Sequence, residues 1–161
     1  MDESYRKGYT PFADVPTHEW YYGGMVNAYE NGYMTKGMPG ENALAQDALL
    51  MVLRSVGVKN SDLEGDCTLK VPSVRSISPY AVCAVNYADK KGLALQRDMT
   101  LPVERIKIAE WITLLKPDLP KRADDAVDFD SFIDIKSLGN DARFVAYMYS
   151  NGIMVGRVSA D

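Results

Sequence analysis

Residues 12–37, F-A-D-V-P-T-H-E-W-Y-Y-G-G-M-V-N-A-Y-E-N-G-Y-M-T-K-G, decide the fold of this chain. The stretch begins as a turn at residues 14–16 and continues as an amphipathic helix over about residues 20–30, where apolar side chains recur at i, i+3, i+4 and i+7. Asn31-Gly32 predicts the end of that helix, because glycine adopts the left-handed cap conformation without a Cβ penalty. The sequence therefore predicts a turn, a short helix and a sharp stop.

The same pattern recurs at intervals of 60 residues. A second F-x-D-hydrophobic segment, at residues 132–135, lies 120 residues after the first at 12–15, and Asn151-Gly152 lies 120 residues after Asn31-Gly32. A middle copy has Tyr80 and Gly92 in register, although its residues 72–75 do not keep F-x-D-V. Apolar spacing predicts a second helix after each of the first two glycines, at residues 43–56 and 103–115. The third copy stops at residue 161, before such a helix.

The pattern F-x-D-V-P-x-x-x-W, a short helix and then N-G-Y-x-x-x-G resembles the start of an S-layer homology repeat, the module that fixes bacterial surface proteins to cell-wall polysaccharide. The resemblance implies one all-α domain over residues 1–161, with repeats at about 10–58 and 70–117 and a partial repeat at about 130–161. It also implies that helices 20–30, 80–91 and 141–150 form a central three-helix bundle about a pseudo-threefold axis. Superposing the copies predicts three layers: Gly24/Ala84/Phe144, Met25/Val85/Val145 and Ala28/Ala88/Met148, with Phe144 and Met148 buried at the centre.

The family typically carries I-T-R-A-E at the start of the second helix, where a helix N-terminus and an arginine suit the carboxylate of a pyruvylated wall sugar. This chain reads A-L-A-Q-D at residues 43–47 and V-E-R-I-K at 103–107, so Arg105 alone keeps the arginine. With the capping threonine gone, we expect these helices to begin earlier, at Asn42 and near residues 100–102. The residues implied to contact carbohydrate are Arg105, Lys107, Trp20, Gln46, Asp47, Gly32 and Gly92.

Alternative interpretations accompany these residues. Arg105 and Lys107 could bind one acid group together, or they could be ordinary exposed charges on an amphipathic helix. Trp20 could stack on a sugar ring, or it could be a packing residue just before the helix. Cys67 and Cys83 could form a disulfide in an extracellular setting, or remain two reduced, partly buried thiols.

Composition excludes several function classes. A formal charge of −4 and a pI near 5.0 argue against nucleic acid or an anionic membrane as the partner. The longest apolar run, residues 48–53, is too short to cross a bilayer. Residues 1–10 lack the apolar core of a signal peptide, so the export signal of a surface protein would be removed or left out.

No catalytic or metal-binding set is evident in the sequence. The only histidine, His18, lacks the partner of an H-E-x-x-H zinc helix, and we interpret it as a turn residue. The acidic stretch at residues 124–130 lacks the glycine and glutamate of an EF-hand loop. No nucleophile has a base near it in sequence, so we expect a protein that is not an enzyme and needs no cofactor.

Two functions of different classes remain. The first is a cell-wall polysaccharide-binding module at the bacterial surface, and the second is a degenerate repeat domain that serves as a scaffold or protein-interaction piece. In either case the unfinished third repeat should leave apolar surface bare. We expect the surface near Tyr147, Tyr149, Ile153 and Val155 to be covered by another chain, by a further part of the parent chain, or by the N-terminal segment around Tyr5 and Tyr9.

Overall fold

Five α-helices carry the fold over the residues that the computed structural model describes, 11–118 and 137–153. In chain order they are α1 (Tyr22–Glu30), α2 (Ala45–Ser55), α3 (Val82–Lys90), α4 (Arg105–Leu115) and α5 (Ala142–Ser150). Short 3-10 helices lie at Asn60–Leu63, Pro79–Ala81 and Gly139–Asp141. Within these ranges the extended backbone pairs only as two isolated bridges, Leu44 with Pro102 and Ser76 with Asp98. The prediction of an all-α fold is therefore confirmed for the described residues.

The helix bounds repeat every 60 residues, as the sequence predicts. Helices α1, α3 and α5 each span nine residues and begin at residues 22, 82 and 142, while α2 and α4 each span eleven and begin at 45 and 105. The glycine after each nine-residue helix has a positive φ, of 69°, 79° and 67° at Gly32, Gly92 and Gly152. At each of these ends the glycine N–H and the next N–H donate back into the last turn, which is the Schellman cap.

The predicted starts of the second helices are wrong. We expected α2 to begin at Asn42 and α4 near residues 100–102, but they begin at Ala45 and Arg105. Their N-cap residues are extended, and neither makes a side-chain capping hydrogen bond. The segments before the two helices stay extended because they pair with each other.

Backbone groups of the second repeat cap α2. The N–H groups of Ala45 and Gln46 donate to the carbonyl oxygens of Leu101 and Met99, both at 2.9 Å. In return, the N–H of Val103 donates to the carbonyl oxygen of Ala43 at 3.1 Å. Two of the N–H groups that a helix start leaves without intrahelical partners are thus satisfied by another part of the chain.

The largest hydrophobic cluster lies between α2, α3 and α4. Its fully buried large side chains include Leu49 and Leu53 of α2, Val85 of α3 and Trp111 of α4, together with Met99 from the loop before α4. The indole N–H of Trp111 donates to the carbonyl oxygen of Ala94 at 2.9 Å, so the ring is buried with its polar atom satisfied. This cluster holds the starts of α2 and α4 together.

Helices α1 and α5 bury their apolar faces elsewhere. Helix α1 packs Tyr22 and Val26 against Phe12 and Val15 of the preceding turn. Helix α5 packs against α4, mainly through a separate cluster at Ala109. No helix in the described ranges is long and apolar enough to span a membrane.

The described residues do not show the predicted central bundle. Phe144 and Met148 are buried as predicted, at 4% and 1% exposure, but they pack on Ala109 of α4. Gly24 is exposed, and a Cβ added there would meet no atom within 4 Å, so the predicted layer of Gly24 with Ala84 and Phe144 does not form. The other two layers are not seen either, because the buried side chains of α1, α3 and α5 belong to three different hydrophobic clusters. A small residue on α4 accommodates the bulky side chains that we assigned to the axis.

The surface predicted to be bare near the third repeat is partly covered within the chain. Tyr147 is half-buried, and its hydroxyl donates to the carbonyl oxygen of Lys116 at the end of α4. Tyr149 is also half-buried, while Ile153 is exposed. Val155 and the segment around Tyr5 and Tyr9 lie outside the described residues, so coverage by another chain or by that segment stays a prediction.

Candidate functional site

The start of α4 presents the arginine that the resemblance singles out. Arg105 is the first residue of α4 and its side chain is exposed, so its guanidinium lies near the positive end of the helix dipole. Lys107, two residues on, forms an ion pair with Glu110 at 2.6 Å. Because Glu110 already neutralises the ammonium, Lys107 contributes less to anion binding than we predicted.

The start of α2 is arranged differently, because Gln46 points inward. Its side chain is 2% exposed. The amide oxygen accepts a hydrogen bond from the N–H of Ser78 at 2.9 Å, and the amide nitrogen donates to the hydroxyls of Ser78 and Tyr80 at 2.9 and 2.7 Å. We predicted Gln46 as a carbohydrate contact, but in this structure it joins α2 to the turn before α3.

Asp47 and Tyr80 form a polar and aromatic edge beside that link. The Tyr80 hydroxyl donates to the Asp47 carboxylate at 2.6 Å, while 55% of Tyr80 is exposed. Partial burial, and then the hydrogen bond to Asp47, raise the pKa of the Tyr80 phenol above its usual value. An exposed ring beside a carboxylate can stack on a sugar ring and accept its hydroxyl hydrogen bonds.

Trp20 occupies the place in repeat 1 that Tyr80 holds in repeat 2. It is 90% exposed and touches Tyr21 edge to face, with ring centroids 5.5 Å apart. The interpretation of Trp20 as a packing residue is therefore wrong, and its ring is open for stacking. Gly32 and Gly92 are exposed residues whose positive φ ends α1 and α3, so their role in this structure is conformational.

Sequence reasoning missed a pair of arginines next to this edge. The N–H of Arg75 donates to the carbonyl oxygen of Arg97 at 2.7 Å, and the N–H of Met99 donates to the carbonyl oxygen of Ser76 at 2.8 Å. Both arginine side chains are exposed. The sequence does show that Arg75 follows the position of the missing F-x-D-V aspartate. The pairing of Arg75 with Arg97, however, depends on a backbone bridge between distant segments.

Repeat 1 makes the same junction with a side chain. The Asp14 carboxylate accepts a hydrogen bond from the N–H of Met38, which lies 60 residues before Asp98 of the backbone bridge. Gly37 leaves room for this carboxylate, because a Cβ at that position would overlap it. In repeat 1 the F-x-D-V aspartate thus joins the segment before the first helix to the loop before the second helix, and in repeat 2 a backbone bridge joins the corresponding segments.

The connector between the repeats is fastened to α3 at two points. Cys67 and Cys83 form a disulfide with their Cα atoms 4.8 Å apart, which decides between the two alternatives for these cysteines. One turn later, the Asn86 side chain accepts a hydrogen bond from the N–H of Lys70 at 2.9 Å and donates to the carbonyl oxygen of Thr68 at 2.8 Å. The connector, residues 57–78, is therefore held against α3.

No metal-binding cluster assembles over residues 11–118 and 137–153. No three histidine, cysteine or acidic side chains within these ranges are grouped so that they could hold a metal ion. His18 is exposed and lies 3.6 Å from Glu19, in the turn where we predicted it. The acidic stretch at 124–130 lies outside the described residues.

Comparison with known proteins identifies no relative: no protein-family model, no curated protein and no solved structure matches the chain. The resemblance to S-layer homology repeats rests on the sequence motifs and on the 60-residue register of the helices.

Proposed function

We propose that this chain is a non-catalytic module of the S-layer homology type that anchors its parent protein to polysaccharide of the bacterial cell wall. The observation that carries the proposal is the recurrence of helix bounds and glycine caps every 60 residues, in the register that the family motifs set. The link from Asp14 to the Met38 N–H gives the F-x-D-V motif a physical role within one repeat.

The disulfide supports the extracellular part of this proposal. Disulfides persist in oxidising surroundings such as the cell surface and are rare in reducing cytosol. Cys67 and Cys83 are the only cysteines of the chain, and they are paired. A protein with this bond is suited to the outer face of a bacterium.

Arg105 is the proposed contact for the ligand. A carboxylate on a wall sugar, such as a pyruvyl ketal, would lie near the N-terminus of α4 and pair with the guanidinium. Charge-assisted hydrogen bonds of this kind contribute about 1.5–3 kcal/mol, so the loss of Arg105 should weaken binding tenfold or more. The exposed rings of Trp20 and Tyr80 offer stacking surfaces for neighbouring sugars.

A second candidate function is a scaffold that binds no sugar. It is favoured by the motif positions at the start of α2, where Gln46 and Asp47 both engage Tyr80. Lys107, at the corresponding position of α4, pairs with Glu110. The two candidates predict different results with the same ligand.

Calorimetry with pyruvylated wall carbohydrate tests the proposal on the wild type, Arg105→Ala and a control, Arg54→Ala, at the opposite end of α2. We expect the wild type and the control to bind alike and Arg105→Ala to bind at least tenfold more weakly. If the wild type gives no heat of binding, the scaffold interpretation is correct. If Arg105→Ala binds as well as the wild type, the module function stands and the assignment of Arg105 is wrong.

A further inference from the structure

Arg75 and Arg97 are held side by side by the bridge between the segment before α3 and the loop before α4. The carbonyl oxygen of Arg97 accepts from the N–H groups of both Arg75 and Ser76, at 2.7 and 3.4 Å. Backbones paired in this way lie about 4.8 Å apart. Both side chains are exposed, and an arginine side chain is long enough for two guanidinium groups on such neighbouring backbones to meet at one small ligand.

No acid of the described residues compensates this pair. The ion pairs in that part of the chain join other groups, and none involves Arg75 or Arg97. The adjacent carboxylate, that of Asp98, accepts hydrogen bonds from the N–H and the hydroxyl of Thr100 at 2.9 and 2.5 Å. Asp98 is therefore engaged by Thr100 and, across the bridge, by the Ser76 side chain.

Two like charges on neighbouring strands repel each other. The chain carries 22 acidic and 18 basic residues, so two neighbouring arginines form a local positive charge on a chain whose net charge is negative. A bound anion would remove the repulsion. The planar guanidinium group matches a carboxylate in particular, because it can donate two parallel hydrogen bonds.

We propose that Arg75 and Arg97 together bind one carboxylate of an acidic sugar, as an anion site separate from Arg105. The inference rests on the proposed function for the choice of a sugar acid as the ligand. The bridge continues directly into the aromatic edge, because Met99 donates to Ser76 and accepts from Gln46, whose side chain binds Tyr80. The Asp47 carboxylate, which can accept hydrogen bonds from sugar hydroxyls, and the Tyr80 ring, which can stack on a sugar, are therefore linked by hydrogen bonds to the bridge that holds the two arginines.

The test uses two ligands and matched variants of the whole chain. The first ligand is methyl glucuronoside, with neutral methyl glucoside as its control, followed through the side-chain Nε–H signals of the arginines by NMR. The second is purified pyruvylated wall polysaccharide, followed by calorimetry. The variants are Arg75→Gln, Arg97→Gln and the double variant, and the control is Lys36→Gln/Lys59→Gln, which removes two exposed charges elsewhere.

We expect the glucuronoside, but not the glucoside, to shift the Nε–H signals of Arg75 and Arg97. Each single variant should weaken binding of the glucuronoside about tenfold, and the double variant should abolish it, while the control binds as the wild type does. These results would support the site even if the wall polysaccharide itself is not bound, in which case the proposed function fails separately. Unshifted arginine signals, or a double variant that binds both ligands as tightly as the control, would overturn the inference.

Discussion

Replacing Gln46 by methionine tests whether this residue is a structural link between the repeats. Methionine has a similar volume, so the substitution keeps the packing of a side chain that is 2% exposed while removing its hydrogen bonds. The hydroxyls of Ser78 and Tyr80 can turn to other partners, and Tyr80 keeps Asp47. The Ser78 N–H, which now donates to Gln46 at 2.9 Å, loses its acceptor.

The expected cost follows from that one backbone group. A partly buried donor left without a partner costs about 1–3 kcal/mol, so we expect Gln46→Met to lower the free energy of unfolding by about 2 kcal/mol. For a chain of this length, that corresponds to a fall in Tm of about 4–8 °C. Urea denaturation should show a lower midpoint with an unchanged slope, because the surface exposed on unfolding is the same.

Ser78→Ala is the matched control. It removes the hydroxyl that accepts from Gln46 but keeps the Ser78 N–H bond to the amide oxygen. We expect it to cost less than about 1 kcal/mol. A Gln46→Met protein as stable as the wild type, or one less destabilised than Ser78→Ala, would refute the structural role. Loss of carbohydrate binding with unchanged stability would instead return Gln46 to the binding site.

Three further perturbations have outcomes set by the described contacts. Cys67→Ser removes a disulfide that spans 16 residues, and urea denaturation should show that the free energy of unfolding falls by about 3 kcal/mol. Adding reductant to the variant should lower it no further. Gly37→Ala should destabilise the protein because the new Cβ overlaps the Asp14 carboxylate, but it should be nearly neutral in an Asp14→Ala background, since the overlap is then gone. The hydrogen bonds from Thr68 lower the pKa of Asp66 from 3.8 to about 2, so its contribution to stability is present above pH 3.8 and is lost as the pH falls towards 2. An NMR titration of the Asp66 carboxyl should give that low midpoint, and a midpoint unchanged in Thr68→Val would contradict the assigned cause.

The helix ends could be predicted from sequence because glycine caps are local. At Gly32, Gly92 and Gly152 the glycine N–H bonds three positions back and the next N–H five positions back, and such short-range geometry is visible in a single stretch of sequence. The helix starts could not be predicted in the same way. Ala45 is capped by Leu101, a contact between distant segments that no local pattern announces.

In the candidate site, too, features set by local sequence could be predicted and features set by distant contacts could not. The 60-residue register predicts that Arg105 lies near the start of a helix, although the first residue of α4 is later in the chain than we predicted. Whether a predicted contact residue faces solvent depends on tertiary partners: Gln46 turns inward to Ser78, while Trp20 is 90% exposed. The bulky residues of α5 misled the prediction of a central bundle, because burial alone does not say which helix provides the covering surface.

The cap on α2 has a consequence for how the chain completes its fold during synthesis. Leu101 follows Ala45 by 56 residues, so at about 5–20 residues per second the ribosome takes roughly 3–11 s to supply the carbonyl groups that α2 requires. Until then the first turn of α2 is open to water and prone to fraying. The first repeat is therefore made first, but the start of its second helix is capped only after residues 99–101 of the second repeat have been made.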